Sequence, residues 1–296
     1  MSRNFFIALM LLPGIAAADQ LPGYVLLLPE SVKTVLVAET DTATLHRYDV
    51  NKTTLQSGDT WRMSIGQNGV GKMRSGDRRT PLGIYFVLEQ LDTTNMHEKY
   101  GPVAFPLDYP NAWDFANART GHGIWIHGVA PGSEPRPKRD TDGCIALPND
   151  ELLALDPHLT PLQTPVIVTR HMPLVDTSNV DATREQLLLA LSVWTSSYRH
   201  GDWYRFLSLY EESFSYRGMD RDGWSAYRVQ TVADRTIDDF TVDEIMLIAD
   251  PETEGLYLSR FRQRISESGR TIVTTKRLYW RRSSQGEFKI IAEDNS

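Results

Sequence analysis

Two residues in the chain have the types and spacing for nucleophilic chemistry. Cys144 is the single cysteine, and His127 precedes it by seventeen residues. The thiolate, not the thiol, is the attacking species, so a cysteine nucleophile needs a base beside it. An adjacent imidazole is expected to lower the thiol from its free pKa of about 8.5. His127 ends the apolar run GIWIH and opens a Gly- and Pro-rich loop that leads to Cys144. A strand end feeding such a loop can return the sulfur to the imidazole. Gly143, with Thr141 and Asp142 ahead of it, leaves the sulfur and the nearby backbone N–H groups accessible. The bland alternative is a small buried hydrophobe, which free Cys often is.

His122 lies five positions before His127, an odd separation that places the two side chains on opposite faces of one continuous strand. One metal ion cannot easily take both, and the sequence holds neither HExxH nor CxxC. His122 is therefore expected at a loop or pocket edge, with no metal and no other cofactor. A second motif, GQNGVGKM at 66–73, follows the phosphate-loop pattern until Met73 stands where Ser or Thr would hold magnesium. The following RSGDRRTP does not open an apolar helix, so a Gly-rich hairpin or surface loop is expected. Arg78 and Arg79 then lead into a strand, where they face an anionic substrate or water.

The elements that must position these groups are mostly short strands. Runs at 34–38 and 44–50 predict a hairpin, and 61–65, 83–88, 123–127 and 165–169 predict further strands. Short helices are expected at 112–119 and 150–155, the latter capped by Asn149. Many strands with few helices predict a β-sandwich or mixed β fold. After a polar linker at 171–182 the character changes. Helical periodicity at 184–198, 202–210 and 222–231 precedes strand-like runs at 240–249, 256–265, 271–280 and 288–291. That order predicts a second, α+β domain. Its aromatic residues Trp194, Trp203, Tyr204, Phe206 and Tyr210 are expected in the core.

The 296 residues suffice for one large or two ordinary domains. With 41% hydrophobic and 23% charged residues, wholesale disorder and a multi-span membrane protein are poor readings. A net charge of −7 argues against nucleic acid as a partner. Residues 1–18, with Arg3, an apolar run and Ala16 to Ala18, read as a secretory signal peptide. No later apolar stretch replaces it, so an exported protein without a membrane span is expected. In that compartment an unpaired thiol calls for a reason.

The combination GDRRTPLGIYFV, IWIHG and TDGCIALPN resembles the YkuD-type L,D-transpeptidase catalytic domain of bacterial cell-wall enzymes, over about 33–170. The resemblance implies a mostly β catalytic fold with Cys144 as nucleophile and His127 as base. It implies that the carbonyl of Gly128 holds the imidazole and that backbone N–H groups around Gly143 and Cys144 form the oxyanion site, with Thr141 supporting the loop. The family pattern S/T-H-G-C-I/V-R is broken by Asp142 and Ala146. Arg78, Arg79 or Arg119 is then expected to take over a carboxylate contact, with Asp142 and His122 at the substrate pocket.

The region 183–296, containing SVWTSSYRHGDWYRFLSLYEESF, resembles an NTF2-like domain, a cone of helices on a curved antiparallel sheet. The implied layout is a signal peptide (1–18), an extension (19–32), the catalytic domain (33–170), a linker (171–182) and the NTF2-like domain. The pairing resembles cell-shape-related peptidoglycan trimming enzymes. It implies peptidoglycan stem peptides as substrate, a protein or small-molecule ligand for the second domain, and the periplasm of a Gram-negative-type bacterium. An L,D-transpeptidase, an L,D-carboxypeptidase or hydrolase, and an inactive wall-binding scaffold all remain open at this point.

Overall fold

A computed structural model describes residues 21–52, 54–175, 181–232 and 237–295. The signal-peptide reading lies outside them. Two main sheets form the first domain. One has five strands in the order Thr54–Arg62, Thr44–Asn51, Thr34–Glu39, Pro165–Thr169 and Gly83–Phe86. The other has four, in the order Ile145–Ala146, Trp125–His127, Val103–Pro106 and Leu91–Asp92. Between them lies a core built from Leu36, Tyr85 and Val166 on one side and Phe105, Ile126 and Ile145 on the other.

The runs TVLVAE and PVIVT are buried at every position. An alternating pattern would be enough for a sheet with one wet face, whereas continuous apolar runs signal burial on both. The cause is the second domain. The opposite face of the five-stranded sheet, with Val35, Val37, Ile84 and Ile167, packs on Met246, Ile248, Leu258, Tyr279 and Ile291.

Those last residues belong to an antiparallel five-stranded sheet of Val25–Leu27, Asp239–Ala249, Leu256–Glu267, Arg270–Arg282 and Phe288–Asn295. Helices Asp181–Arg199, Trp203–Ser208 and Arg221–Val232 cover its other face. Trp194, Phe206 and Tyr210 are core residues there, as expected, but Tyr204 is 89% exposed. Its helix is short and capped by Asp202, and only the Phe206 side of the turn meets the sheet. The aromatic cluster fills the inside of this domain: Trp194 Nε1 donates to Tyr210 Oη at 3.0 Å, and Tyr210 donates to Glu293 at 2.8 Å. Glu293 in turn pairs with the buried Lys276 at 2.8 Å.

Three sequence expectations change. The extension is structural: Val25–Leu27 adds an edge strand to the second domain's sheet, and Leu21–Pro22 pairs with Leu174–Val175 from the expected linker. The strand expected at 61–65 is the longer Thr54–Arg62, a polar and mostly exposed run in which only Leu55 and Trp61 are buried. The stretch at 123–127 is a strand only over Trp125–His127, so His122 lies in the preceding loop.

Candidate active site

The strand Trp125–His127 is held on both sides. It runs antiparallel to Val103–Pro106, with His127 opposite Ala104, and parallel to Ile145–Ala146, with Ile126 opposite Ile145. Ile126 is fully buried in the core, so strand alternation turns Trp125 and His127 to the other face. Cys144 immediately precedes Ile145 and is thus diagonal to His127. Strand spacing and rise separate the two Cα atoms by about 8 Å, within reach of two side chains on one face.

The imidazole is fixed by its surroundings. His127 Nδ1 lies 2.6 Å from the carbonyl oxygen of Gly128. A carbonyl only accepts, so Nδ1 carries the proton and Nε2 keeps its lone pair. The Tyr100 ring stands edge-on to the imidazole at 5.3 Å and tilts against Trp125 at 4.8 Å. His127 is 5% exposed. Burial pushes its pKa down to about 4, and the positive charges of Arg136 and Lys99 add to this against the opposing Gly128 bond.

The loop after His127 is clamped. Gly128 N–H donates to Tyr100 O at 2.9 Å. A Cβ on Gly128 would lie 2.2 Å from Asn149 Oδ1 and 2.9 Å from Gly101 Cα, so only glycine fits. Asn149 Oδ1 accepts from Val129 N–H at 2.8 Å, and Nδ2 donates to Val129 O at 3.0 Å. The sequence places Asn149 as a helix cap. Instead the helix is Asn149–Leu155 with Pro148 at its cap position, and the Asn149 side chain serves the His127 loop.

The cysteine loop is built around Thr141. Its hydroxyl donates to Cys144 O at 2.7 Å and accepts from Gly143 N–H at 3.1 Å. Gly143 N–H is thus already engaged, whereas Cys144 N–H has no acceptor among the described residues. Gly143 has φ +126°, and a Cβ there would meet Arg79 O at 2.7 Å. The thiol donates to Gly123 O at 3.4 Å, not to the imidazole. Burial pushes the thiol pKa up, outweighing a backbone hydrogen bond from Trp125 and the charge of Lys99. The expectation of a thiol lowered by its imidazole is therefore reversed: two neutral partners face one cleft.

That cleft has a volume of about 490 Å³. His127, Cys144, Thr141, Asp142, His122 and Arg78 line it, together with Lys72, Lys99, Tyr100, Arg136 and Asp140. Arg79 and Arg119 do not. Arg79 donates to Val70 O, Arg119 pairs with Asp114 at 3.0 Å, and both line a separate cavity of about 400 Å³ with Asp250 and Glu252. Lys99, Tyr100 and Arg136 were missed because neither KYG nor RPKRD carries a motif. For Lys99 and Tyr100 the one sequence signal was the Gly101 that follows them, which the structure shows at φ +67° and packed against Gly128. Among the described residues no group of three His, Cys, Asp or Glu gathers as for a metal ion.

Residues 33–168 match the family model of the YkuD L,D-transpeptidase catalytic domain, and residues 186–294 match the Cds6 C-terminal NTF2-like domain. The chain is a YkuD domain followed by an NTF2-like domain. The YkuD domain makes it an enzyme of the L,D-transpeptidase and peptidase type. No curated protein matches the chain. Among solved structures, Bd1075 of Bdellovibrio bacteriovorus is similar at 24% identity, with a TM-score of 0.76 over 94% of this chain and 98% of that one. The helical cell shape determining protein Pgp2 of Campylobacter jejuni is similar at 22% identity, with a TM-score of 0.75 over 94% of this chain and 96% of that one. At such identities the likeness speaks for the shared two-domain fold. No helix among the described residues is long and apolar enough to cross a membrane.

Proposed function

We propose that the YkuD domain catalyses acyl transfer on peptidoglycan stem peptides at an L,D bond, with Cys144 as nucleophile and His127 as general base. The observation that carries this reading is the single cleft lined by both side chains, in which the Gly128 carbonyl fixes the His127 tautomer. As Cys144 Sγ attacks the carbonyl carbon before a terminal D-residue, its proton passes to His127 Nε2. The C–N bond then breaks, Nε2–H protonates the leaving amine, and a thioester remains on Cys144. Such proton transfer contributes typically 10²–10⁴-fold. Cys144 N–H is the donor available to the oxyanion, a stabilisation usually larger still.

An acceptor amine resolves the thioester into a crosslink, and water resolves it as a carboxypeptidase or hydrolase would. Both restore the thiol. The lone cysteine, the clamped histidine and the cleft between them favour an enzyme over an inactive scaffold. Export to the periplasm and a part in wall biogenesis and cell shape complete the proposal, supported by the 1–18 segment and the cell-wall family.

A tetrapeptide muropeptide assay read by mass spectrometry tests it. Wild-type protein is expected to release the terminal D-residue and leave a tripeptide or a crosslinked product, and Cys144→Ala to release none. Undiminished release by Cys144→Ala, or none by wild type, overturns the reading.

A further inference from the structure

The second cavity, of about 400 Å³, lies on the border of the two domains. Lys72 lines both it and the cleft of Cys144, so one segment of chain separates the two. From the YkuD side come Arg79, Arg119 and Arg170, the last directly after strand Pro165–Thr169. Asp250, Glu252 and Thr253 come from the turn between Asp239–Ala249 and Leu256–Glu267 of the NTF2-like sheet.

Each of the three guanidinium groups is tethered at one nitrogen. Arg79 Nη1 donates to Val70 O at 2.9 Å, Arg119 Nη1 to Asp114 Oδ1 at 3.0 Å, and Arg170 Nη1 to Glu252 Oε2. A guanidinium carries five N–H donors, and the Nε and Nη2 groups of all three have no acceptor among the described residues. Arg119 Nε is moreover buried, and Arg170 Nη2 stands 3.8 Å from where a Cβ on Gly71 would sit.

The carboxylates around the cavity are already in use. Asp77 accepts from Lys72 Nζ and three backbone N–H groups. Asp114 takes Arg119 and Asn111 N–H, and Glu252 takes the side chain and the N–H of Arg170. Asp250 Oδ1 accepts from Glu252 N–H at 3.0 Å and Thr253 N–H at 2.8 Å. Formal charges therefore nearly cancel, but hydrogen-bonding capacity does not: donors are left over, and a buried unpaired donor costs free energy.

We propose that this cavity is a binding site for a small oxyanion, a phosphate or carboxylate group held by the free edges of Arg79, Arg119 and Arg170. The guanidinium fork matches both groups in charge-assisted hydrogen bonds. Tethering each arginine beforehand reduces the side-chain ordering that binding requires. Asp250, the lining carboxylate without an ion pair among the described residues, is pushed up to about 6 by burial against its backbone hydrogen bonds. It gives up its charge more readily than an ordinary carboxylate when an anion enters.

Calorimetric titration of the full chain with inorganic phosphate and with malonate, each against chloride at matched ionic strength, tests the site. At least one anion is expected to bind saturably. Phosphate alone assigns a phosphoryl ligand, and malonate alone a carboxylate. Arg79→Gln and Arg170→Gln should each weaken binding roughly tenfold or more, since a hydrogen bond from a charged group is lost. Arg74→Gln removes an exposed arginine of the same loop that lies outside the cavity, and should leave the affinity unchanged. Neither anion bound above the chloride background, an affinity unmoved by both cavity variants, or equal weakening by Arg74→Gln overturns the proposal. No arm uses turnover, so the result is independent of the acyl-transfer chemistry.

Discussion

Asn149 brackets Val129, accepting its N–H at 2.8 Å and donating to its carbonyl at 3.0 Å. One side chain from the helix after the cysteine loop thereby sets the peptide that follows Gly128, whose own carbonyl holds His127 Nδ1. Asn149 acts through that carbonyl and not on the substrate. Asn149→Ala strands two backbone groups, a loss of about 1–3 kcal/mol for a buried donor or acceptor. The expected outcome is a fall in kcat of roughly tenfold or more, with KM little changed, since imidazole orientation and not substrate binding is lost. Asn149→Asp keeps the acceptor and should recover part of the rate. A lowered melting temperature with unaltered kcat would make Asn149 a folding residue only.

His127 also predicts the acid behaviour of the protein. Its pKa is about 4 in the fold, against about 6.5 for an unperturbed imidazole. Between these values the unfolded chain binds more protons than the folded one, so stability rises with pH across the window. The contribution is complete above pH 6.5 and is lost as pH falls toward 4, amounting to about 3 kcal/mol. Urea unfolding at pH 7 and pH 4.5 should show a larger acid loss for wild type than for His127→Asn. Equal losses would mean that the imidazole is solvated and titrates normally.

Cys144 should label slowly at rest. Burial raises its pKa, so little thiolate exists at neutral pH. Iodoacetamide at pH 7 is expected to alkylate it more slowly than free cysteine, with the rate climbing through the alkaline range. Labelling faster than free cysteine at pH 7 would reveal a standing thiolate–imidazolium pair in place of two neutral partners.

Sequence order made the approach of Cys144 to His127 legible because strand ends and loops are local features. GIWIH had to end at His127, and TDGC had to approach it. The support was not legible, since it is made by contacts distant in sequence. Asn149 reads as a helix cap until its side chain is seen on Val129, and Tyr100 has no pattern to mark it against His127. Arg79 and Arg119 illustrate the opposite error. Basic side chains near a motif attract a substrate role, yet one bonds Val70 O and the other Asp114. The edge strand Val25–Leu27 was missed because its partner lies more than two hundred residues away.

Arg277 joins the two domains, and its removal is predicted to be costly. It bonds Asp294 at 2.6 and 2.8 Å within the NTF2-like sheet and also pairs with Asp108 of the YkuD domain. Asp108 accepts from Phe86 N–H at 2.6 Å as well, so the ion pair is anchored to the five-stranded sheet. The Arg277 and Asp108 side chains are only 7% and 9% exposed. Burial pushes the Asp108 carboxyl up, and the Arg277 guanidinium opposes it. Removing one partner of a buried pair leaves the other charge without compensation, typically a loss of 3–5 kcal/mol. Arg277→Met should therefore lower the urea midpoint by a large fraction of total stability. Arg277→Met with Asp108→Asn should recover part of the loss, because the stranded carboxylate is gone. A midpoint unmoved by Arg277→Met would assign the cohesion of the domains to the apolar contacts of Ile84 and Ile167 with Ile248 and Tyr279 alone.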